Sequence, residues 1–253
     1  MWLLPVLSTV ARAAAFVYYR ISYAGDEVPR RGSLLLVANH PNTLLDPLLV
    51  VAAARRPVRF LAKAPLFEDA RTAWAVKAAG AIPVYRRHDE GTQMDRNADA
   101  FRAVYGVLAG GGAVGIFPEG ISHNAPAIAP LKTGAARIAL GAAARIGKSF
   151  PIVPVGMVMR EKDIFGSQAL AVRGAPVVWD DLAQRASDDA EAVRLLTNRI
   201  DDALRAVTVN LEAWEDGPLV ECAVQIWEAE RGQPPSPAER VTRLQVTTQI
   251  LAT

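Results

Sequence analysis

The sequence predicts an α/β fold: a mostly parallel central sheet flanked by helices, with an N-terminal membrane-interfacial helix and an all-helical C-terminal tail. Three observations carry this. From residue 33 onward, short apolar runs alternate with segments of helical period, the pattern of a sheet built by crossover connections. Beyond residue 180 the strand-like runs stop and only helical periodicity continues. Residues 1–19 are almost wholly apolar but are divided by Pro5 and Arg12. These changes of pattern give three regions: 1–24, an N-terminal membrane-associating helix; 25–180, the α/β domain; and 181–253, a helical extension.

The N-terminal stretch falls short of the roughly 18 or more uncharged residues expected of a spanning helix. Drawn as a helix, Ser8 and Arg12 share one face while Trp2, Val6, Val10, Phe16 and Val17 cover much of the rest, with Trp2, Tyr18 and Tyr19 near the ends. That is the pattern of a helix lying in a bilayer interface. A core helix and a signal peptide cut after the Ala11-Arg12-Ala13 triplet are the other readings, the latter opposed by the lack of a basic residue ahead of the apolar stretch. The α/β region then reads as strand 33–38, helix 47–55, strand 58–62, helix 69–79, strand 81–85, helix 91–108, strand 113–117, helix 133–146 and strand 152–158. Gly110-Gly111-Gly112 stops the helix before the fourth strand. Pro154 inside the last run predicts an edge strand or a bulge there. The tail reads as helices 188–207, 211–231 and 237–251; the first carries acidic residues in its first turn and Leu195, Leu196, Ile200 and Leu204 on one face. Pro237, after Ser236 as cap, suits the first turn of the last helix. That helix ends without a stop signal, as expected of a chain that continues further.

Composition narrows the function. With 51% apolar residues the chain has ample material for a core. A formal net charge of +2, from 28 basic and 26 acidic residues, gives no electrostatic footprint for nucleic acid, and aromatic and basic residues do not interleave. The single cysteine, Cys222, excludes an internal disulfide and a multi-cysteine metal site, and reads as a packing residue.

Three segments end apolar strands with titratable groups: 39–47, 82–87 and 117–123. Strand carboxyl ends in an open α/β sheet converge on one crevice, so a composite site is expected. His40 and Asp46 cannot meet across a continuous helix, because six residues carry the chain about 240° round the axis. Pro47 disfavours helical backbone at Asp46, so Asp46 is expected to cap the following helix, with 41–45 a turn that folds the carboxylate back to the imidazole. A carboxylate on one ring nitrogen leaves the other to act as general base. Asp46 as a plain cap and His40 as a polar turn residue is the alternative. Arg86, Arg87 and Lys132 bring cations to the same rim for an anionic substrate, although Arg87 also reads as a solvated loop residue. Glu119 follows a strand, and Gly120 permits close approach of the backbone to a ligand. Ser122 and His123 are adjacent, so their side chains diverge, and no acid partner for His123 is evident; a covalent serine mechanism is the weaker reading.

Asn39-His40 through Asp46, the 80–86 block, Phe117-Pro118-Glu119-Gly120 and Ile152-Val153-Pro154-Val155 resemble, in order, the four blocks of the glycerolipid acyltransferases, the lysophosphatidate and glycerol-3-phosphate acyltransferase superfamily, over residues 25–180. Five residues rather than the usual four separate His40 from Asp46, and the usual Pro-Glu-Gly-Thr-Arg-Ser is here Pro118-Glu119-Gly120-Ile121-Ser122-His123. Together with Pro130-Leu131-Lys132-Thr133-Gly134-Ala135, these departures resemble the branch of fungal-type glycerol-3-phosphate and dihydroxyacetone-phosphate acyltransferases and their bacterial relatives. The resemblance implies His40 as general base, oriented by Asp46, for attack of an acceptor hydroxyl on an acyl thioester. It implies Arg86, Glu119, Gly120 and Lys132 as substrate-binding residues, with Lys132 or Arg137 supplying the charge of the absent block-three arginine. The donor would be acyl-CoA or acyl-carrier protein, with no cofactor and no metal. The acceptor would be a glycerol phosphate, first 1-acylglycerol-3-phosphate and otherwise glycerol-3-phosphate or dihydroxyacetone phosphate. The protein would work on the cytoplasmic face of a membrane. A non-catalytic lipid binder and a thioesterase using the same base on water are the contrasting readings.

Overall fold

The computed structural model describes residues 9, 10, 13, 16–42, 45–85, 94–159 and 164–251. Among these, seven strands form one sheet: β1 (Arg20–Gly25), β2 (Leu34–Ala38), β3 (Val58–Lys63), β4 (Ile82–Val84), β5 (Ala113–Ile116), β6 (Ile152–Met159) and β7 (Gln168–Arg173). Their order is β1-β7-β6-β2-β5-β3-β4, and every pairing is parallel except β6 with β7. The central β2, Leu-Leu-Leu-Val-Ala, is buried throughout, because helices cover both faces of the sheet. Its residues alternate between two cores, as the period of a strand requires. Leu35 and Val37 pack with α3 (Met94–Ala109), α4 (Gly134–Ile146) and α5 (Ala190–Arg205); Leu34, Leu36 and Ala38 pack with α1 (Asp46–Ala54) and Tyr19. The predicted helix at 69–79 is shorter, α2 (Ala73–Ala78), preceded by a 3-10 turn at Ala64–Phe67.

Three expectations change. Residues 20–24, assigned with the N-terminal segment, form with Gly25 an edge strand, paired in parallel with β7 from Arg20 opposite Gln168; β7 itself carries no strand prediction. β6 is interior despite Pro154, lying between β7 and β2. The carbonyl of Pro154 accepts the N–H of Gly174 at 3.0 Å, just past the end of β7. The amide that proline lacks therefore falls where β7 has ended, not in the ladder to β2. Finally, the tail is not one unit. Asp189 caps α5 by accepting from Glu191 and Ala192, and Leu196, Ile200 and Leu204 bury into the sheet's own core with Leu195 packed beside them. Only α6 (Gly217–Glu230) and α7 (Pro237–Leu251) form a separate small cluster, through Val220, Val224 and Leu244 with Leu211. Ser236 and Glu239 exchange hydrogen bonds with each other's backbone at the start of α7, a capping box in the place expected.

Candidate active site

Because β2, β5, β3 and β4 are parallel neighbours, their carboxyl ends share one edge of the sheet. The chain leaves β2 at Asn39, whose side-chain amide imitates a strand peptide: Nδ2 donates to the Met157 carbonyl at 3.0 Å and Oδ1 accepts the Met157 N–H at 2.7 Å. This extends the β2–β6 pairing by one residue and holds His40 at the strand end. His40 Nδ1 lies 2.7 Å from Asp46 Oδ2, and the same oxygen accepts the Asn42 N–H at 2.8 Å. The predicted back-folding turn is present, but Asp46 is not a cap. It is the first residue of α1, Leu45 occupies the cap position, and no side chain caps the helix. The Leu45 and Asp46 amides both reach the Asn42 carbonyl at 3.2 Å, which winds the turn tightly enough to carry helical backbone through Asp46 despite Pro47. Its carboxylate is thereby free for the imidazole. Asp46 is fully buried, and that burial pushes its carboxyl above the ordinary carboxylate range, against the opposing pull of the His40 and Asn42 hydrogen bonds. The His40 ring stacks on Phe117, 4.0 Å between centroids and 7° from parallel, and Phe117 stacks on Phe60. Gly115 makes room for this, since a Cβ there would collide with the Phe60 ring.

Glu119, 2% exposed, directs its carboxylate at protein groups. Oε1 accepts the His40 N–H at 2.9 Å; Oε2 accepts the Ala129 N–H at 2.7 Å and bonds His123 Nε2. It therefore braces the backbone of His40. His123, for which the sequence shows no acid partner, has one in Glu119. Gly120, with φ +72°, turns the chain, and the space a Cβ would fill is taken by the Lys132 side chain, 2.8 Å from that point at Cδ and Nζ. Lys132, an exposed residue, thus brings its ammonium beside the Glu119–Gly120 turn. Arg137 is engaged elsewhere, donating to the Ser187 carbonyl at 3.1 Å. Arg86 and Arg87 lie outside the described residues, immediately beyond Tyr85 at the end of β4. Lys63, which the sequence reading did not single out, ends β3 opposite Val84 of β4 and adds a cation to the same edge.

His40, Glu119 and His123 line a cavity of about 1590 Å³. It runs past Met157 and Leu170 to Pro218 of α6 and Leu244 of α7, so the last two helices wall the side away from the strand ends. Among the described residues no group of three or more His, Cys, Asp or Glu side chains is placed to hold a metal ion.

The acyltransferase family model matches residues 20–158, from β1 to β6, more than half of the chain. The chain belongs to the acyltransferase family. Two glycerol-3-phosphate O-acyltransferases of Saccharomyces cerevisiae resemble it: number 2 is 33% identical over 145 residues, covering 56% of this chain and 20% of that protein, and number 1 is 32% identical over 120 residues, covering 46% and 16%. The chain thus spans a fifth or less of the length of these relatives. The fold is shared with the 1-acyl-sn-glycerophosphate acyltransferase PlsC of Thermotoga maritima, with a TM-score of 0.57 at 18% identity over 81% of this chain and 78% of that one. These likenesses bear out membership of the glycerolipid acyltransferase superfamily and the α/β architecture read from the sequence. For an acyltransferase, the feature that sequence reasoning passed over is the His123–Glu119 pair. The two residues are four apart across a glycine turn, so the acid partner lies beyond the chain neighbour that was considered.

Proposed function

We propose that this acyltransferase moves a fatty acyl group from an acyl thioester, acyl-CoA or acyl-carrier protein, to a hydroxyl of a glycerol-phosphate acceptor. The observation that carries the proposal is the His40–Asp46 bond. Nδ1–H donates to the buried carboxylate, which leaves Nε2 as the unprotonated nitrogen of a ring that lines the cavity. Nε2 takes the proton of the acceptor hydroxyl, and the oxygen adds to the thioester carbonyl. Collapse of the tetrahedral adduct breaks the C–S bond, and the departing thiolate receives the proton back from His40. Asp46 stabilises the imidazolium between these steps. Arg86, with Lys132 and Lys63 at the same edge, holds the acceptor phosphate, and the apolar part of the cavity takes fatty chain.

The first acceptor is 1-acylglycerol-3-phosphate, which would give phosphatidate. Glycerol-3-phosphate is the second reading, favoured by the likeness to the yeast enzymes. Thiol release from acyl-CoA, followed with and without each acceptor, tests the proposal: release is expected only with acceptor. In the same assay Arg86→Ala should raise the apparent acceptor constant more than the acyl-CoA constant, and lysine at 86 should rescue only in part, because a point charge lacks the bidentate fork. A change confined to the acyl-CoA constant would put the phosphate elsewhere.

Membrane docking is part of the proposal. No helix among the described residues is long and apolar enough to cross a membrane. Trp2, Val6, Ser8 and Arg12 of the expected interfacial helix lie outside the described residues, while 9, 10, 13 and 16–18 are helical. Phe16 and Val17 are exposed at 50% and 68%, and Ile164 and Phe165 at 52% and 67%. The two pairs are joined where Tyr18 meets Phe165 ring to ring and its carbonyl accepts the Gly166 N–H at 2.8 Å. Apolar side chains grouped in this way suit the acyl boundary of a bilayer, on whose cytoplasmic face acyl thioesters are supplied. Tyr19 is buried and β1 starts at Arg20, so a truncation that spares the fold must stop before them. Deleting residues 1–15 is expected to shift the protein from vesicles to the soluble fraction in a flotation assay. Activity on a short-chain, water-soluble acceptor should survive. Undiminished flotation would move the anchor to the Ile164–Phe165 patch or the last helices.

A further inference from the structure

We propose that His123 is a positioning residue for His40, acting through Glu119 and through the backbone of the 117–123 turn; this rests on the reading of His40 as the base. The His40 peptide is held on both sides by that turn. Its N–H donates to Glu119 Oε1 at 2.9 Å, and its carbonyl accepts the N–H of His123 at 3.3 Å. Phe117, at the start of the same turn, supports the face of the His40 ring. The clamp depends on how Glu119 is held. Oε2 has two partners, the Ala129 N–H and His123 Nε2. His123 Nδ1 accepts the Ala125 N–H at 3.0 Å, so in the neutral ring the proton sits on Nε2 and is donated to Glu119. The site therefore contains two imidazole–carboxylate pairs of opposite tautomer. His40 donates from Nδ1 and keeps Nε2 for substrate; His123 donates from Nε2 and spends Nδ1 on backbone.

Removing the His123 ring leaves a carboxylate buried at 2% exposure with one donor fewer. Glu119 can then turn from the His40 N–H, and the base loses the restraint that fixes its distance from the reacting hydroxyl. A displacement of about 1 Å at such a site costs on the order of a hundredfold in rate.

The test uses the full chain with three substitutions and two readouts. His123→Ala should lower kcat by about ten- to a hundredfold and leave both apparent substrate constants within about twofold. His123→Gln, whose amide nitrogen stands near the place of Nε2, should restore most of the loss. His123→Asn, whose amide stops at the place of Nδ1, should not. The second readout is independent of activity. In 15N-histidine NMR spectra the wild type should show His40 as the Nδ1–H tautomer and His123 as Nε2–H, and the His40 Nδ1–H signal should shift in His123→Ala but not in His123→Gln. Asn performing as well as Gln, an unaltered kcat in His123→Ala, or an Nδ1–H tautomer at His123 would each overturn the proposal. A wild type without acyl transfer would instead defeat the reading of His40 as base, while the His40 signal would still decide whether His123 positions it: a shift supports the clamp and constancy refutes it.

Discussion

His40→Ala is expected to lower kcat by at least about a hundredfold with the fold intact, since general-base catalysis contributes typically ~10²–10⁴. The substitution removes the ring but not the His40 backbone, whose N–H and carbonyl make the bonds to Glu119 and His123. The ring, 15% exposed, stacks on Phe117 and bonds the buried Asp46, so its removal also leaves that carboxylate with one donor fewer. A lower melting temperature, with the transition still cooperative and the circular dichroism spectrum at 25 °C unchanged, should therefore accompany the loss of turnover. Near-normal turnover in this variant would remove His40 from the chemistry.

Asp46→Asn should be comparably slow, and for a different reason. Oδ2 now accepts from His40 Nδ1–H and from the Asn42 N–H. If the asparagine oxygen keeps the Asn42 bond, its amide can only donate toward Nδ1, which moves the ring proton to Nε2 and occupies the nitrogen that must act as base. Because Asp46 makes no cap bond, helix loss cannot account for a fall in rate. Stability should move the other way. Burial raises the carboxyl's pKa in the folded chain above its ordinary value. Such a shift favours folding only below the unfolded pKa and is lost as pH rises through the folded one, so at neutral pH the ionised group opposes folding. Asparagine removes that charge, and the melting temperature at pH 7 should equal or exceed that of wild type. A marked fall in melting temperature would contradict the burial argument, and a rate within a few-fold of wild type would contradict the tautomer argument.

What could be read from the chain depended on whether a signal was local. β2, β5 and β6 are continuous apolar runs because both faces of the sheet are covered, and they stand where the pattern puts them. β1 and β7 escaped because Arg-Ile-Ser-Tyr-Ala-Gly and Gln-Ala-Leu-Ala-Val-Arg are mixed in character, and they become strands by pairing with each other across almost 150 residues. The proline rule misplaced β6 at an edge, since what matters is whether the missing amide faces a partner, and at Pro154 the neighbouring strand has already ended. At the site, the His40–Asp46 meeting was legible from Pro47 and the spacing, while the role of the carboxylate as cap was not. The three protein partners of Glu119, His40, His123 and Ala129, are not legible in the sequence because they come together only when the loops after β2 and β5 are folded side by side.

The central claim is acyl transfer to a glycerol phosphate by the His40 base, and lipid mass spectrometry of an acceptor panel incubated with acyl-CoA tests it most directly. Wild type should convert 1-acylglycerol-3-phosphate or glycerol-3-phosphate to the product one acyl group heavier, and His40→Ala should not. Free fatty acid formed at the same rate with or without acceptor would make the protein a thioesterase. Unchanged acyl-CoA with every acceptor would make it a lipid binder that keeps the fold without the chemistry, and either result would contradict the account.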